Sequence, residues 1–120
     1  MLGFAGTVTA ARLLRLTEQQ TAHALSITAT TMGGILIGTD SWAREYMAGN
    51  AALTAVQSAL AAQQGFLVNA DLLEAKGGFL DTFGNRAVDL ESITRLLGTQ
   101  WDIERYLAIK LVPEIGRAHV

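Results

Sequence analysis

The chain has 120 residues, enough for one domain with a single core, and 50% of them are hydrophobic. A formal net charge of −2, with Lys and Arg spread singly, excludes the basic patch of a nucleic-acid or anionic-membrane binder. Because there is no cysteine and only 2 histidines are present, we expect no disulfide and no metal site. Apolar runs break well before the roughly 20 residues of a membrane span, and the start lacks the basic segment of a signal peptide. We therefore expect a cytoplasmic protein that binds neither nucleic acid nor membrane.

A helical hairpin is predicted at the start of the chain. From Phe4 to Leu16, apolar residues recur at every third or fourth position, which is the helical period. Thr17 followed by Gln20 has the spacing of a capping box, so a second helix should begin there. Gly33-Gly34 should end it. The apolar stripe of this second helix comprises Ala22, Leu25, Ala29 and Met32.

The third predicted helix has the clearest pattern in the sequence. Residues 35–46 mix apolar and turn-forming side chains, which predicts a loop leading into it. The helical stripe comprises Ala48, Ala51, Ala52, Ala55, Val56, Ala59 and Leu60. Because most of these side chains are small, neighbouring backbones can approach closely, and we expect this helix to be buried between others. Gly65 should end it.

Shorter elements follow. Glycine-bounded stretches predict short helices at residues 70–75 and 78–83. Asp89 is a good N-cap for a further helix that Gly98 should terminate. After Trp101, the pattern from Ile103 to Val112 changes to a period of two, which predicts a single strand. One strand cannot satisfy its own backbone groups, so its partners should lie outside these residues or on another chain.

Few residues of this sequence are candidates for a catalytic or binding role. The paired glycines lack the spacing of phosphate-binding loops, and no acyl-transfer nucleophile motif is present. His23 lies one residue past the apolar stripe of the second helix, so we interpret it as a surface or packing histidine rather than a base.

Lys110 lies in the predicted strand between Ile109 and Leu111. A lysine held among apolar side chains loses hydration of its charged form, which lowers its pKa and suits it to acid–base work near neutrality. It could also clamp a substrate carboxylate. A strand-edge lysine whose ammonium group reaches water is the alternative, and position alone favours that alternative.

A polar cluster precedes the third helix: Asp40, Ser41, Arg44, Glu45 and Tyr46. Free amides and the helix dipole at such a position can hold a carboxylate. A solvated loop with Ser41 as a cap explains the same residues equally well.

Three stretches resemble, in order and with natural spacing, the MmgE/PrpD family, which includes 2-methylcitrate dehydratase. Residues 10–27, AARLLRLTEQQTAHALSI, resemble its helical hairpin. Residues 38–80, with AGNAA, QGF and LEAKGGFL, are similar to its "H-x-G-x-A-A … GF … LE-x-x-x-GF" signature. Residues 109–113, IKLVP, are similar to the "K-x-x-P" segment where the family passes from its helical domain to its lid.

The resemblance implies a mainly α fold, with a helical hairpin, further helices of a large helical domain, and one C-terminal strand leading toward an α/β lid. Members of the family act on small di- and tricarboxylic acids without metal or organic cofactor, usually as homodimers. Their reactions are dehydration, decarboxylation or epimerisation, and they share proton movement beside a carboxylate. Such chemistry needs cations for the carboxylates and a tuned acid or base.

The resemblance also implies roles for particular residues. Lys110 matches the family's active-site lysine in "K-x-x-P", which makes it the expected catalytic residue. Arg44 falls where several relatives have a lysine ahead of "H-x-G", so we expect it to bind a substrate carboxylate. Met47 stands at the histidine position of that motif, a departure that leaves the exact reaction open.

Family members are several times longer, so residues 1–113 are interpreted as part of the helical domain, inactive alone. Residues 114–120, EIGRAHV, do not continue the family pattern. The sequencing adapter AGATCGGAAGAGCACACGTCTGA encodes this peptide when read in frame after one G, and its next codon is a stop. We interpret these residues as a non-family tail from adapter read-through, in which His119 carries no chemistry. A different nucleotide sequence over these codons would reject that interpretation.

Overall fold

The computed structural model describes residues 2–84 and 89–106, and these residues are helical or irregular with no strand among them. They divide into two compact units, Met1–Val88 and Asp89–Val120. The first unit contains α1 (Leu2–Leu13), α2 (Glu18–Thr31), a 3-10 helix (Leu36–Asp40), α3 (Ala43–Gln63) and α4 (Phe79–Phe83). The second contains α5 (Leu90–Thr94) and α6 (Asp102–Tyr106). The mainly α fold class is therefore confirmed.

The hairpin of α1 and α2 is joined where the sequence predicts it. The amide of Gln20 donates to Thr17 Oγ1 over 3.2 Å, and the amide of Thr17 donates to Gln20 Oε1 over 3.0 Å. This reciprocal capping box satisfies two amides that the first turn of α2 would otherwise leave unpaired. The helix ends at Thr31, two residues before the predicted glycine pair.

Helices α1, α2 and α3 pack against one another through small side chains. The buried apolar residues are all alanines: Ala11, Ala24, Ala29, Ala55, Ala59 and Ala62. Between them lie the buried polar residues Thr7, His23, Ser26, Thr28 and Ser58. Because these side chains are short, the helix backbones come close together. A Cβ added to Gly6 of α1 would lie only 2.9 Å from Ala55 Cβ of α3.

Helix α3 begins at Ala43, earlier than the alanine pattern suggested, and runs to Gln63. Gly65 follows it with a φ of 83°, a left-handed conformation that favours glycine. The expectation that this helix is buried between others holds on one side of the helix, where it packs against α1 and α2. Ala55 and Ala59 are buried, whereas Ala48, Ala52, Val56 and Leu60 are exposed. Sequence periodicity marked one broad apolar surface, but α1 and α2 cover only its small-residue side.

The predicted helix at residues 70–75 is wrong, because these residues form hydrogen-bonded turns. The amide of Phe79 donates a hydrogen bond to the carbonyl oxygen of Leu72 over 2.9 Å, which closes this segment into a compact loop. The next prediction is confirmed, since α4 spans Phe79–Phe83. The rings of Phe79 and Phe4 meet edge to face with centroids 5.2 Å apart, which ties α4 to α1.

In the second unit, Asp89 caps α5 as predicted, accepting from the amide of Glu91 at 3.1 Å. Gly98, with a φ of 76°, lies in the turns that follow this helix. The strand prediction is wrong over Ile103–Tyr106, which lie in α6. A helical turn satisfies backbone groups within one segment, whereas an isolated strand needs a neighbour. The remainder of the predicted strand, including Lys110, and the tail at residues 114–120 lie outside the described residues.

Candidate functional site

Of the two residues predicted to act on substrate, the described structure contains Arg44. It lies in the first turn of α3 with its side chain 42% exposed, and its Nε is 3.4 Å from Glu45 Oε1. An exposed pair of this kind contributes at most about 1 kcal/mol, because water screens both charges. The planar guanidinium group carries five donors and can bind a carboxylate through two parallel hydrogen bonds. A guanidinium group at the start of a helix is chemically suited to a carboxylate ligand.

Ser41 organises the turn that leads into α3. Its Oγ donates to Gly38 O over 2.9 Å and accepts from the amide of Ala43 over 3.3 Å. The amide of Arg44 donates to Ser41 O over 3.0 Å. Ser41 therefore occupies the amide of Ala43, the first residue of α3. It is not the helix cap, because the N-cap is Trp42, which makes no side-chain cap hydrogen bond.

The predicted polar cluster is divided between two faces of α3. Arg44 and Met47 are half-buried and lie three residues apart, on the face nearer the bundle. Tyr46 and the preceding Trp42 are exposed, at 77% and 84%, on the other face. The structure thus brings Arg44 next to Met47 and does not bring Tyr46 to the same surface.

Met47, which the sequence resemblance places at the histidine position of the motif, packs against the loop before α3. A Cβ on Gly34 would lie 3.2 Å from Met47 Sδ, and one on Gly38 would lie 3.6 Å from Met47 Cε. A thioether there fills space beside the loop and carries no exchangeable proton. The first turns of α3 consequently offer one cation and no imidazole.

His23 is a second titratable residue in a defined environment, buried to 7% exposure on α2. Its Nδ1 accepts from the amide of Val68 over 3.4 Å, which places the proton of the neutral ring on Nε2. Among the described residues, neither Nε2 nor the Oγ of fully buried Ser26 has a hydrogen-bond partner. The histidine lies in the packing between helices, in line with the sequence interpretation. The unpaired serine three residues later was not foreseen.

Within residues 2–84 and 89–106, no group of three His, Asp or Glu side chains is placed to hold a metal ion. In those same ranges, no helix combines the length and the apolar character needed to cross a membrane.

The described residues form a helical domain, and one family model matches most of it. A family model described as the MmgE/PrpD N-terminal domain matches residues 1–90. The chain belongs to the MmgE/PrpD family. The matched range includes α1 to α4 and Arg44, and it ends before Lys110. Comparison with curated proteins gives no match, and neither does comparison with solved structures.

Proposed function

We propose that this chain is part of a cofactor-independent lyase or isomerase acting on small di- or tricarboxylic acids, similar to 2-methylcitrate dehydratase, in the cytoplasm. The observation that carries the proposal is the family match over residues 1–90. That range includes the start of α3 and Arg44, which the sequence resemblance aligns with a lysine that several relatives have. A cation on the first turn of a helix suits a carboxylate ligand, because the helix dipole adds to its attraction.

The proposed chemistry needs two groups. Removing a proton beside a carboxylate leaves negative charge on the substrate, and a fixed cation stabilises that charge in the transition state. Arg44 is proposed to hold a substrate carboxylate through its guanidinium group. Lys110 is proposed to move the proton, as the resemblance of its segment implies.

We also propose that the 120-residue chain is inactive alone. This rests on the surface of the first unit, where several large apolar side chains are exposed. Leu13, Leu67 and Trp42 are 79%, 73% and 84% exposed. Large apolar side chains that are exposed to this degree suit contact with further polypeptide. A substrate cleft would then need walls from further polypeptide.

A chimera tests both proposals. Residues 1–113 replace the corresponding segment of a full-length family enzyme, and turnover of 2-methylcitrate and related acids is followed by NMR. We expect turnover from the chimera and none from the 120-residue chain. Lys110→Ala should lower kcat on the order of a hundredfold or more, as loss of an acid–base group does. Lys76→Ala, the same change at an exposed loop position, is the matched control. Equal turnover in both variants removes Lys110 from the mechanism, and turnover by the chain alone contradicts its inactivity.

Arg44 is tested in the same chimera. Arg44→Gln should raise KM on the order of tenfold or more, because a charge-assisted bond to the substrate carboxylate is lost. Arg12→Gln, on an exposed position of α1, should leave KM unchanged. If the two variants share one KM, Arg44 does not bind substrate.

A second candidate function is a non-catalytic helical interaction module derived from this fold. Met47 favours it, because the thioether packs on the loop before α3 where the family motif has an imidazole. A folded chimera without turnover, in which Met47→His restores none, supports the module. Turnover in the chimera contradicts it.

A further inference from the structure

Met47 joins helix α3 to the residues that precede it, 33–42, which we call the connecting segment. Its Sδ lies against Gly34, where a Cβ would be only 3.2 Å away, and its Cε lies against Gly38, where a Cβ would be 3.6 Å away. Gly34 has a φ of 117°, a conformation that favours glycine. The thioether therefore fills space beside two residues that have no side chain of their own.

The hydrogen bonds of the connecting segment span short distances along the chain. The amide of Gly38 donates to Ile35 O over 2.9 Å. The amide of Ser41 donates to Gly38 O over 3.2 Å. Ile35 and Ile37 are 74% and 79% exposed, so these large side chains add little packing against α3. The contact that Met47 makes with the two glycines is therefore important for holding the segment on α3.

The sulfur of Met47 can be reached by small solutes, because this residue is only half-buried. In reaction with hydrogen peroxide, a sulfur lone pair attacks one oxygen, an S–O bond forms as the O–O bond breaks, and the second oxygen leaves as water. The sulfur is thereby oxidised and the peroxide is reduced. The product is methionine sulfoxide, whose oxygen is a polar hydrogen-bond acceptor. Burying that group against glycine carbons costs free energy, so the oxidised side chain should turn to water.

From the contact with two glycines and the partial exposure of the thioether, we propose that Met47 is a modification site at which oxidation by peroxide releases the connecting segment from α3. Methionine sulfoxide reductases reverse the change, with a dithiol oxidised to a disulfide as the sulfoxide oxygen leaves in water. Met32 makes a different contact, because its Sδ lies against Gly3 of α1, where a Cβ would be 2.8 Å away. Oxidation of Met32 should therefore leave the connecting segment in place.

Peroxide treatment of the full 120-residue chain, followed by mass spectrometry of its peptides, measures the oxidation rate of Met47. We expect a rate within about tenfold of that of N-acetylmethionine, because the sulfur is partly exposed, and a slower rate overturns the proposal. Hydrogen exchange at single amides is then followed by NMR. The amides of Gly38 and Ser41 should exchange on the order of tenfold faster after oxidation, because the segment opens more often. Treatment with a methionine sulfoxide reductase should restore the initial rates.

Two pairs of variants assign the effect to one sulfur. Met47→Leu keeps an apolar contact and the other 2 of the 3 methionines, so peroxide should not change its exchange at Gly38 and Ser41. Met32→Leu should respond to peroxide like the parent chain. Met47→Gln places a polar group against the glycines and should raise exchange without peroxide, whereas Met32→Gln should not. No acceleration in the oxidised parent, or equal acceleration within either pair, overturns the proposal.

Discussion

The buried hydroxyl groups of α1 and α2 differ in their hydrogen bonding, and this difference should be measurable. Thr28 Oγ1 lies 2.6 Å from Thr7 Oγ1 and donates to Ala24 O over 3.0 Å. Thr7 Oγ1 is also 2.8 Å from Gly3 O. Ser26 is equally buried, and its Oγ has no hydrogen-bond partner within residues 2–84 and 89–106. Paired hydroxyls stabilise a fold modestly, whereas an unpaired buried hydroxyl costs free energy.

Ser26→Ala should therefore leave the free energy of unfolding unchanged or raise it by about 1 kcal/mol, because it removes an unsatisfied polar atom. Thr28→Val keeps the side-chain shape but removes the bonded hydroxyl, and it should lower that free energy by about 1 kcal/mol. Urea denaturation followed by CD measures both. A loss in Ser26→Ala as large as that in Thr28→Val would mean that Ser26 makes a stabilising hydrogen bond in solution.

The sequence pattern did not predict which residues of α2 are buried. Apolarity alone selected Leu25 and Met32, yet both are only half-buried. Ala24 and Thr28 are buried instead. Side-chain size determines which residues are buried between these helices, because α1 and α2 approach too closely for larger groups. A single sequence gives the helical period but does not show which face a neighbouring helix will cover.

At the scale of elements, glycine in α1 sets the distance to α3. The close approach of Gly6 to Ala55 Cβ leaves no space for a methyl group. Gly49 lies in α3 with open space around its missing Cβ. Substitution of either glycine by alanine should therefore give a similar gain in helix propensity. A steric cost is expected only at Gly6.

Gly49→Ala should raise the free energy of unfolding by roughly 0.5–1 kcal/mol, because alanine favours the helix. Gly6→Ala has the same helical gain, but it forces α1 away from α3 and should lower the free energy by roughly 1–3 kcal/mol. Thermal unfolding of both variants and of the parent chain measures these changes in the free energy of unfolding. Similar stabilisation in both variants would show that α1 and α3 separate without cost.

Secondary structure was predicted correctly where side chains bond to their own helix. It was predicted wrongly where the structure depends on a neighbouring segment. The capping box of Thr17 and Gln20 and the cap at Asp89 were predicted from side chains that bond their own helix. Ile103–Tyr106 alternate in polarity like a strand but form α6, because no neighbouring strand is required to complete a helix. The candidate site follows the same rule. Its location at the start of α3 came from a motif, whereas the packing of Met47 on the loop needed the fold.

At the scale of the whole molecule, the two units differ in what stabilises their helices. Helices α1, α2 and α3 have 12, 14 and 21 residues and share a buried face. Helices α5 and α6 have 5 residues each. Among residues 89–106, the side chains whose burial is described are exposed, except for half-buried Gln100. Helices shorter than roughly 12 residues are marginal in water unless packing supports them.

Hydrogen exchange should therefore separate the two units. Backbone amides around Thr28 and Ala55 should exchange only through opening of the three-helix packing, because their hydrogen bonds lie in long, buried helices. Amides of residues 90–106 should exchange close to the rate of an unfolded chain, since each short helix can open without breaking a core. Mass spectrometry of peptic fragments at several labelling times measures this, with the urea-unfolded chain defining the unprotected rate. Equal protection of α3 and α5 would show that α5 is buried in solution by a contact that its exposed side chains do not indicate.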